Sequence, residues 1–218
     1  MKIALLNENS QAAKNSIIYS CLKDVCDSKG FTLYNYGMSD ENDSNLTYVQ
    51  LGLLSAILLN SGAVDFVVTG CGTGQGAMLA LNSFPNVLCG LVNDPLDAYL
   101  FAQINDGNAI SIPYAKGFGW GSELNLKNIF NSLFSEPFGG GYPVERKEPE
   151  QRNKKILDSV KVVTHNDITT ILKNIDLDFL RSTIDNKYFK DNFFKNSKNE
   201  EISSYLKKVL ESVCCEWI

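Results

Sequence analysis

The chain has 218 residues, 44% of them hydrophobic, and its 20 basic and 25 acidic side chains give a formal net charge of −5. This length is enough for one large domain, or for one domain with an appendage, around a single core. The acidic balance argues against nucleic acid or an anionic membrane surface as partners. The apolar run at the start is too short for a signal peptide, and no stretch reaches the ~20 apolar residues of a membrane span. We therefore expect a cytoplasmic protein.

The cysteines show no pairing pattern. No C-x-x-C motif is present, and no histidine lies at ligand spacing from a thiol. Neither a zinc site nor a disulfide framework is indicated, so we expect reduced thiols and no bound metal. We expect three of the six in the core and the last two, after the final helix, to have no catalytic role; these are Cys21, Cys26 and Cys89, and Cys214 and Cys215.

Strands and helices alternate along the first 134 residues. Apolar runs predict strands at 2–6, 31–36, 64–68, 88–92 and 109–112, with helices at 12–29, 46–60, from 77, from 95 and at 122–134. This alternation predicts an α/β fold with a five-stranded parallel sheet and helices on both faces. Ligands of such folds bind outside the carboxyl ends of the strands. The polar clusters at Glu8, Cys71, Asn93 and near Lys116 follow four of these strands.

The pattern changes after Phe138. Residues 139–143 are rich in glycine and 145–152 are charged, and apolar positions at helical spacing return in 156–163, 168–175, 188–194 and 202–213. We predict an α/β domain over residues 1–152 and a helical C-terminal extension over 153–218. The extension exposes so much apolar surface that it must dock on the core or on a neighbouring subunit.

The loop Thr69-Gly70-Cys71-Gly72-Thr73-Gly74-Gln75-Gly76 lies between the third strand and the third helix. Its alternating glycines let backbone amides approach an anion with no Cβ in the way. The following helix directs its free N–H groups at the same place. A tight turn beside a buried cysteine needs one glycine, so four glycines favour a ligand-binding loop with a central thiol.

This order of features resembles the family of type B ribose-5-phosphate isomerase and galactose-6-phosphate isomerase. Residues 1 to about 152 carry the resemblance, through the Cys71 loop, Asp94-Pro95, Asn105-Asp106-Gly107-Asn108 and the glycine stretch followed by Arg146. Thr164-His165-Asn166 and the extra length look like the galactose-type B subunit. The resemblance implies a three-layer Rossmann-like fold and an aldose–ketose isomerase that acts on a phosphorylated sugar without metal or organic cofactor. It also implies homodimers or homotetramers with sites built from two subunits.

The resemblance further implies a role for each part of the loop. Cys71 is the base that moves a proton between adjacent carbons through a cis-enediolate, and a helix N-terminus stabilises its thiolate. Thr73 would orient the thiolate, while Asn105 and the amides of Gly72, Gly74 and Gly76 would hold the developing oxyanion. The remaining expected substrate-binding residues are Glu8, Asn9, Tyr48, Asn93, Lys116, Arg146, Lys147 and Arg152.

Several positions depart from the family pattern. The Asp-His pair after the first strand is here Glu8-Asn9, and the ring-opening histidine before Asp-Pro is here Asn93. Asparagine cannot exchange a proton near neutral pH, so we expect a substrate other than ribose 5-phosphate. The family has another phosphate-binding arginine before the position of Arg146. This chain has Gly141 or Tyr142 at that place, so the arginine is absent. The only histidine, His165, is expected to have a structural or subunit-interface role.

Two other functions fit parts of the sequence. The loss of the ring-opening residues leaves a non-catalytic sugar-phosphate-binding or regulatory subunit as an alternative on the same scaffold. A dinucleotide-binding oxidoreductase fits less well. The glycines at 72, 74 and 76 lack the G-x-x-G half of that fingerprint and follow the third predicted strand instead of the first.

Overall fold

The computed structural model describes residues 1–43 and 45–212. Five parallel strands form one sheet in the order β2-β1-β3-β5-β4. The strands are β1 (Lys2–Asn7), β2 (Thr32–Asn35), β3 (Phe66–Cys71), β4 (Cys89–Leu91) and β5 (Ala109–Pro113). Central strands covered on both faces have continuous apolar sequences, which is why β1, β3 and β5 could be recognised as apolar runs.

Helices cover both faces of the sheet, so the predicted α/β fold is confirmed. On one face α1 (Asn15–Ser28) packs on α5 (Ser122–Leu133), which also contacts α4 (Pro95–Leu100). On the other face α2 (Tyr48–Asn60) packs on α3 (Gln75–Asn82). A 3-10 turn, Asn9–Lys14, leads into α1, and a π-helical turn, Phe101–Asn105, continues α4.

The chain after α5 forms five more helices among the described residues. They are α6 (Lys147–Thr164), α7 (Ile168–Asn174), α8 (Leu177–Ile184), α9 (Lys187–Asn196) and α10 (Glu200–Glu211). Each of the last four begins at an Asp or Asn whose side chain accepts a hydrogen bond from a first-turn amide. Both α7 and α8 pack on α2, so the extension contacts the α/β core.

Two boundaries differ from the sequence prediction. The strand β3 runs on to Cys71, because Gly70 pairs with Asn7 of β1 and with Ile112 of β5. The charged run after 145 is helical, since α6 begins at Lys147. Its proline, Pro149, falls in the first turn, where a missing N–H leaves no helical bond unmade. The predicted boundary at 152/153 therefore lies inside α6.

The end of the last predicted helix and the thiols Cys214 and Cys215 lie outside the described residues. Within the ranges 1–43 and 45–212, none of the helices is both long enough and apolar enough to cross a bilayer.

Candidate active site

The carboxyl ends of β1, β3 and β5 meet around Cys71. The Glu8 amide donates to the Gly70 carbonyl at 3.0 Å, so the residue after β1 is held against the end of β3. On the other side, the amides of Tyr114 and Ala115 donate to the carbonyls of Cys71 and Gly72, each at 2.9 Å. Cys71 is 7% exposed and lies between these two segments at the edge where α/β folds bind ligands.

The loop after Cys71 is shaped by Gly74, the residue that precedes α3. Gly74 has φ +72°, and a Cβ there would lie 2.5 Å from Leu91 Cδ1. The Ser111 hydroxyl donates to the Gly74 carbonyl at 2.7 Å, and Thr73 Oγ1 accepts from the Gln75 amide at 3.3 Å. Because first-turn amides have no acceptor inside their own helix, the start of α3 offers donors to an anion beside Cys71.

Tyr48 forms a wall of the same site. A Cβ on Gly76 would lie 3.3 Å from the Tyr48 ring, so the ring covers the start of α3. The side chain remains 49% exposed. The start of α2, next to Tyr48, is held by a reciprocal capping box between Thr47 and Gln50. The predicted substrate contact at Tyr48 is therefore placed next to the glycine loop.

A chain of polar side chains runs along the rim from Glu8 to Lys14. The Ser10 hydroxyl donates to Glu8 Oε2 at 2.5 Å and accepts from Gln11 Nε2 at 2.8 Å. Lys14 Nζ donates to Gln11 Oε1 at 2.7 Å and to the Tyr114 carbonyl at 2.6 Å. The other predicted residue here, Asn9, is half-buried and donates its amide to Leu46. Sequence reasoning missed Gln11 and Lys14, which follow the Glu8-Asn9 motif by less than two turns.

Asn93 and Lys116 line a narrow cleft at the same edge of the sheet. Tyr114 and Phe118 also line it. The Asn93 side-chain and backbone N–H groups donate to Asp97 Oδ2 at 2.8 and 2.9 Å, which fixes the amide. Burial, with the negative charge of Cys71 as a second cause, raises the pKa of Tyr114 far above its usual range. The Tyr114 phenol is therefore a neutral wall of the cleft.

Asn105 lies at the opposite end of the sheet. The strand β5 begins with Ala109 beside Val67 and ends with Pro113 beside Cys71, and Asn105 precedes it. Asn105 lines a cleft together with Cys89 of β4, Lys161 of α6 and His165. Within one chain the structure therefore does not bring Asn105 together with Cys71.

The predicted basic residues after Gly141 also lie apart from the Cys71 loop. Arg146 ends a 3-10 turn and is exposed. The preceding segment is fixed to the π-helical turn, since the Gly141 amide donates to the Gln103 carbonyl at 3.0 Å. Lys147 and Arg152 line a groove along α6 whose lining includes no residue of the Cys71 loop. Within one chain Glu8 and Tyr48 lie beside the loop, with Asn9 next to Glu8. Asn93 and Lys116 line the neighbouring cleft, which Tyr114 connects to the loop through its bond to Cys71, and none of the three cations lines that cleft.

Comparison with known proteins gives the family of this chain. A family model described as "Ribose/Galactose Isomerase" matches residues 3–148, which include both the sheet and the Cys71 loop. The chain belongs to the ribose/galactose isomerase family. A second model, described as "Ribose-5-phosphate isomerase", matches residues 163–209 of this isomerase-family chain and so covers most of the helical extension.

Two solved structures resemble this ribose/galactose isomerase family member over nearly its whole length. A 4-deoxy-L-threo-5-hexosulose-uronate ketol-isomerase complexed with tartrate is 60% identical, with a TM-score of 0.94 over 97% of this chain and 100% of that one. A ribose-5-phosphate isomerase from Vibrio parahaemolyticus is 49% identical, with a TM-score of 0.93 over 96% of this chain and 99% of that one.

A third structure of the family is shorter. A mutant type B ribose 5-phosphate isomerase from Trypanosoma cruzi matches with a TM-score of 0.63 and 18% identity, a likeness that shows the fold alone. It covers 75% of this chain but 97% of its own. The two relatives of 60% and 49% identity therefore also match the part of this chain that the shorter enzyme does not cover.

Proposed function

We propose that this family member is a ketol-isomerase of 4-deoxy-L-threo-5-hexosulose-uronate, with Cys71 as the base. The observation that carries the proposal is the 60% identity, over 97% of this chain, to the ketol-isomerase of that name. The sequence also supports it, since the loop to which the resemblance assigns proton transfer keeps Cys71, Thr73 and its glycines, while Asn93 stands where the type B pattern has the ring-opening histidine.

The chemistry of this substrate explains the loss of a ring-opening group. The name describes a six-carbon acid with an aldehyde at C1, a methylene at C4, a ketone at C5 and a carboxylate at C6. Neither C4 nor C5 carries a hydroxyl, so the aldehyde cannot close with either into a furanose or a pyranose ring. An enzyme for this substrate needs no acid–base pair to open such a ring. Asn93, whose amide is held by Asp97, can therefore line the site without exchanging a proton.

Proton transfer then begins at Cys71. The thiolate takes the proton from C2, the C2–H electrons form the C1–C2 double bond, and the C1 carbonyl oxygen becomes the enediolate oxygen. Amides at the start of α3 stabilise that charge. The thiol returns its proton to C1 while the O2 proton moves to O1, which yields the 2-ketose. Glu8 would hold a substrate hydroxyl, Thr73 would orient the thiolate, and no step requires a metal.

We also propose that two copies of the chain share the site. All residues of α6 keep partial or full exposure, and the groove along it is lined by Ile156, Val160 and Val163, which are 56%, 49% and 86% exposed. A second copy would cover this apolar face. It would also supply Asn105 and the cations Arg146, Lys147 and Arg152, which lie apart from Cys71 within one chain. Ile156→Asp should give a monomer by light scattering, and a persistent dimer would contradict this assembly.

The function is tested by isomerisation assays with three substrates. The purified protein should convert the hexosulose-uronate with a kcat/KM well above those for ribose 5-phosphate and galactose 6-phosphate. In D₂O, NMR should show deuterium entering the product at C1. Cys71→Ala should abolish both signals, whereas Cys21→Ala, a matched change in the buried face of α1, should keep them.

Three outcomes would contradict the proposal in different ways. A higher kcat/KM for ribose 5-phosphate would replace the substrate. Full activity of Cys71→Ala would remove the thiol base. Binding of all three compounds without any exchange of their C–H protons would favour the non-catalytic binding subunit.

A further inference from the structure

Lys14 presents a cation with one free donor at the rim of the site. Its ammonium group has three N–H donors. Two of them are used, by Gln11 Oε1 at 2.7 Å and by the Tyr114 carbonyl at 2.6 Å. These two acceptors fix the position of Nζ, and the Phe118 ring lies beneath it with its centroid 4.9 Å away. The third donor remains for a ligand.

The charge of Lys14 is not neutralised by the protein. Among residues 1–43 and 45–212, no aspartate or glutamate forms an ion pair with it. Both of its acceptors are neutral amide oxygens. The side chain is half-buried, and this burial lowers the pKa of Lys14 below its usual value. A cation that is partly removed from water and lacks a counter-ion gains most when an anion binds beside it.

Lys14 is also next to the reacting end of the site. Tyr114, whose carbonyl accepts from Lys14, donates its own amide to the carbonyl of Cys71 at 2.9 Å. Gln11, its other acceptor, lies with Nε2 3.6 Å from the position of a Cβ on Gly72. Tyr114 on one side and Gln11 on the other therefore separate the Lys14 ammonium group from the Cys71 loop. This spacing suits a ligand whose anionic group is several bonds away from its reacting carbons.

We propose that Lys14 receives the C6 carboxylate of the substrate and thereby selects a sugar acid instead of a sugar phosphate. This proposal rests on the proposed function and deepens it. A single fixed ammonium donor, supported by the neutral amide of Gln11, matches one singly charged carboxylate. Arg146, Lys147 and Arg152 would enter the shared site only from a second copy, whereas Lys14 belongs to the same chain as the Cys71 loop and is fixed beside it.

The test compares two substrates in charge-matched variants. Lys14→Met keeps the stem but removes the charge, and Lys23→Met makes the same change inside α1, where Lys23 pairs with Asp27. Loss of a charge-assisted bond should raise KM for the uronate about 10- to 100-fold in Lys14→Met. Lys23→Met should leave KM unchanged, and Lys14→Arg should recover part of the affinity.

An analogue with a C6 alcohol separates recognition of the carboxylate from a general structural effect. The Lys14→Met variant should lose its preference for the acid over the alcohol, with kcat changed less than KM. Equal losses for both compounds would overturn the proposal, because they would reveal a structural role. If Lys116→Met, and not Lys14→Met, removes the preference, the carboxylate contact belongs to Lys116 and the proposal fails.

Tartrate, a dicarboxylate, provides a readout that does not depend on turnover. Calorimetry should show weaker tartrate binding in Lys14→Met, about tenfold or more, and wild-type affinity in Lys23→Met. If the wild-type protein does not turn over the uronate but tartrate binding still depends on Lys14, the proposed function is wrong and the carboxylate site stands. Tartrate affinity that is equal in wild type and Lys14→Met would overturn the site.

Discussion

Replacing Gly74 by alanine should destabilise the protein because two separate constraints meet at this residue. Gly74 has φ +72°, a conformation that costs an L-residue about 1–2 kcal/mol. The added Cβ would also lie 2.5 Å from Leu91 Cδ1 and 3.0 Å from the Pro113 nitrogen. Overpacking of this kind costs about 1–3 kcal/mol, so the free energy of unfolding should fall by roughly 2–5 kcal/mol in total.

Gly72→Ala is the matched control in the same loop. The nearest atoms to a Cβ at Gly72 are Gln11 Nε2 at 3.6 Å and the Ala115 Cβ at 3.7 Å, which are ordinary contact distances. Its φ is not in the left-handed region. The change at Gly72 should therefore alter stability by less than about 1 kcal/mol.

Urea unfolding followed by circular dichroism measures both variants. The two midpoints should differ clearly, with Gly74→Ala the less stable, and its kcat/KM should fall because α3 starts in a displaced position. Equal stabilities of the two alanine variants would refute the reasoning, because they would mean that the loop adjusts to a Cβ at Gly74 without cost.

Three further predictions concern the extension, the cleft and a buried thiol. The Tyr188 hydroxyl of α9 donates to Asp43 at 2.9 Å, so Tyr188→Phe should lower the free energy of unfolding by about 1 kcal/mol. It should also raise KM, because Asp43 belongs to the segment that leads to Tyr48. Tyr34→Phe, which removes another hydroxyl contact between sheet and extension, should affect stability alone. The Tyr114 hydroxyl is buried without a hydrogen-bond partner in the described structure, so Tyr114→Phe should keep or raise the thermal midpoint, and a loss above about 1 kcal/mol would contradict this. Burial raises the pKa of Cys26 from 9.0 to about 11, so the unfolded chain loses this proton first as pH rises. Stability should fall by up to about 2–3 kcal/mol between pH 9 and 11, and Cys26→Ala should show a smaller fall.

Local patterns predicted most of the fold but not the end of β3. The sequence predicts a loop at Thr69, Gly70 and Cys71, because the apolar run ends at Val68 and glycine is rare in strands. In the structure they extend β3, since Gly70 is paired on both sides, by Asn7 and Ile112. The sequence of β3 does not contain these partners, so only the assembled sheet shows that the thiol is the last strand residue.

The order of elements along the chain is enough to place Asn105 in the sheet. It follows a helix and precedes β5, so in a parallel sheet it must lie at the amino-terminal edge, away from Cys71. The family resemblance placed it with the thiol because a motif does not state which subunit supplies each residue. A site divided between two copies would reconcile the motif with the topology.

By itself the sequence determined the parallel α/β architecture and the glycine-rich loop around Cys71, because strand runs, helical spacing and glycine density are local properties of the chain. Only the tertiary structure decided which side chains face that loop. Lys14 and Tyr114 are 100 residues apart in sequence, and their contact depends on the β1, β3 and β5 ends meeting at one edge. The loop thus predicts proton transfer, whereas the charge that selects a substrate depends on which distant residues the sheet brings beside it.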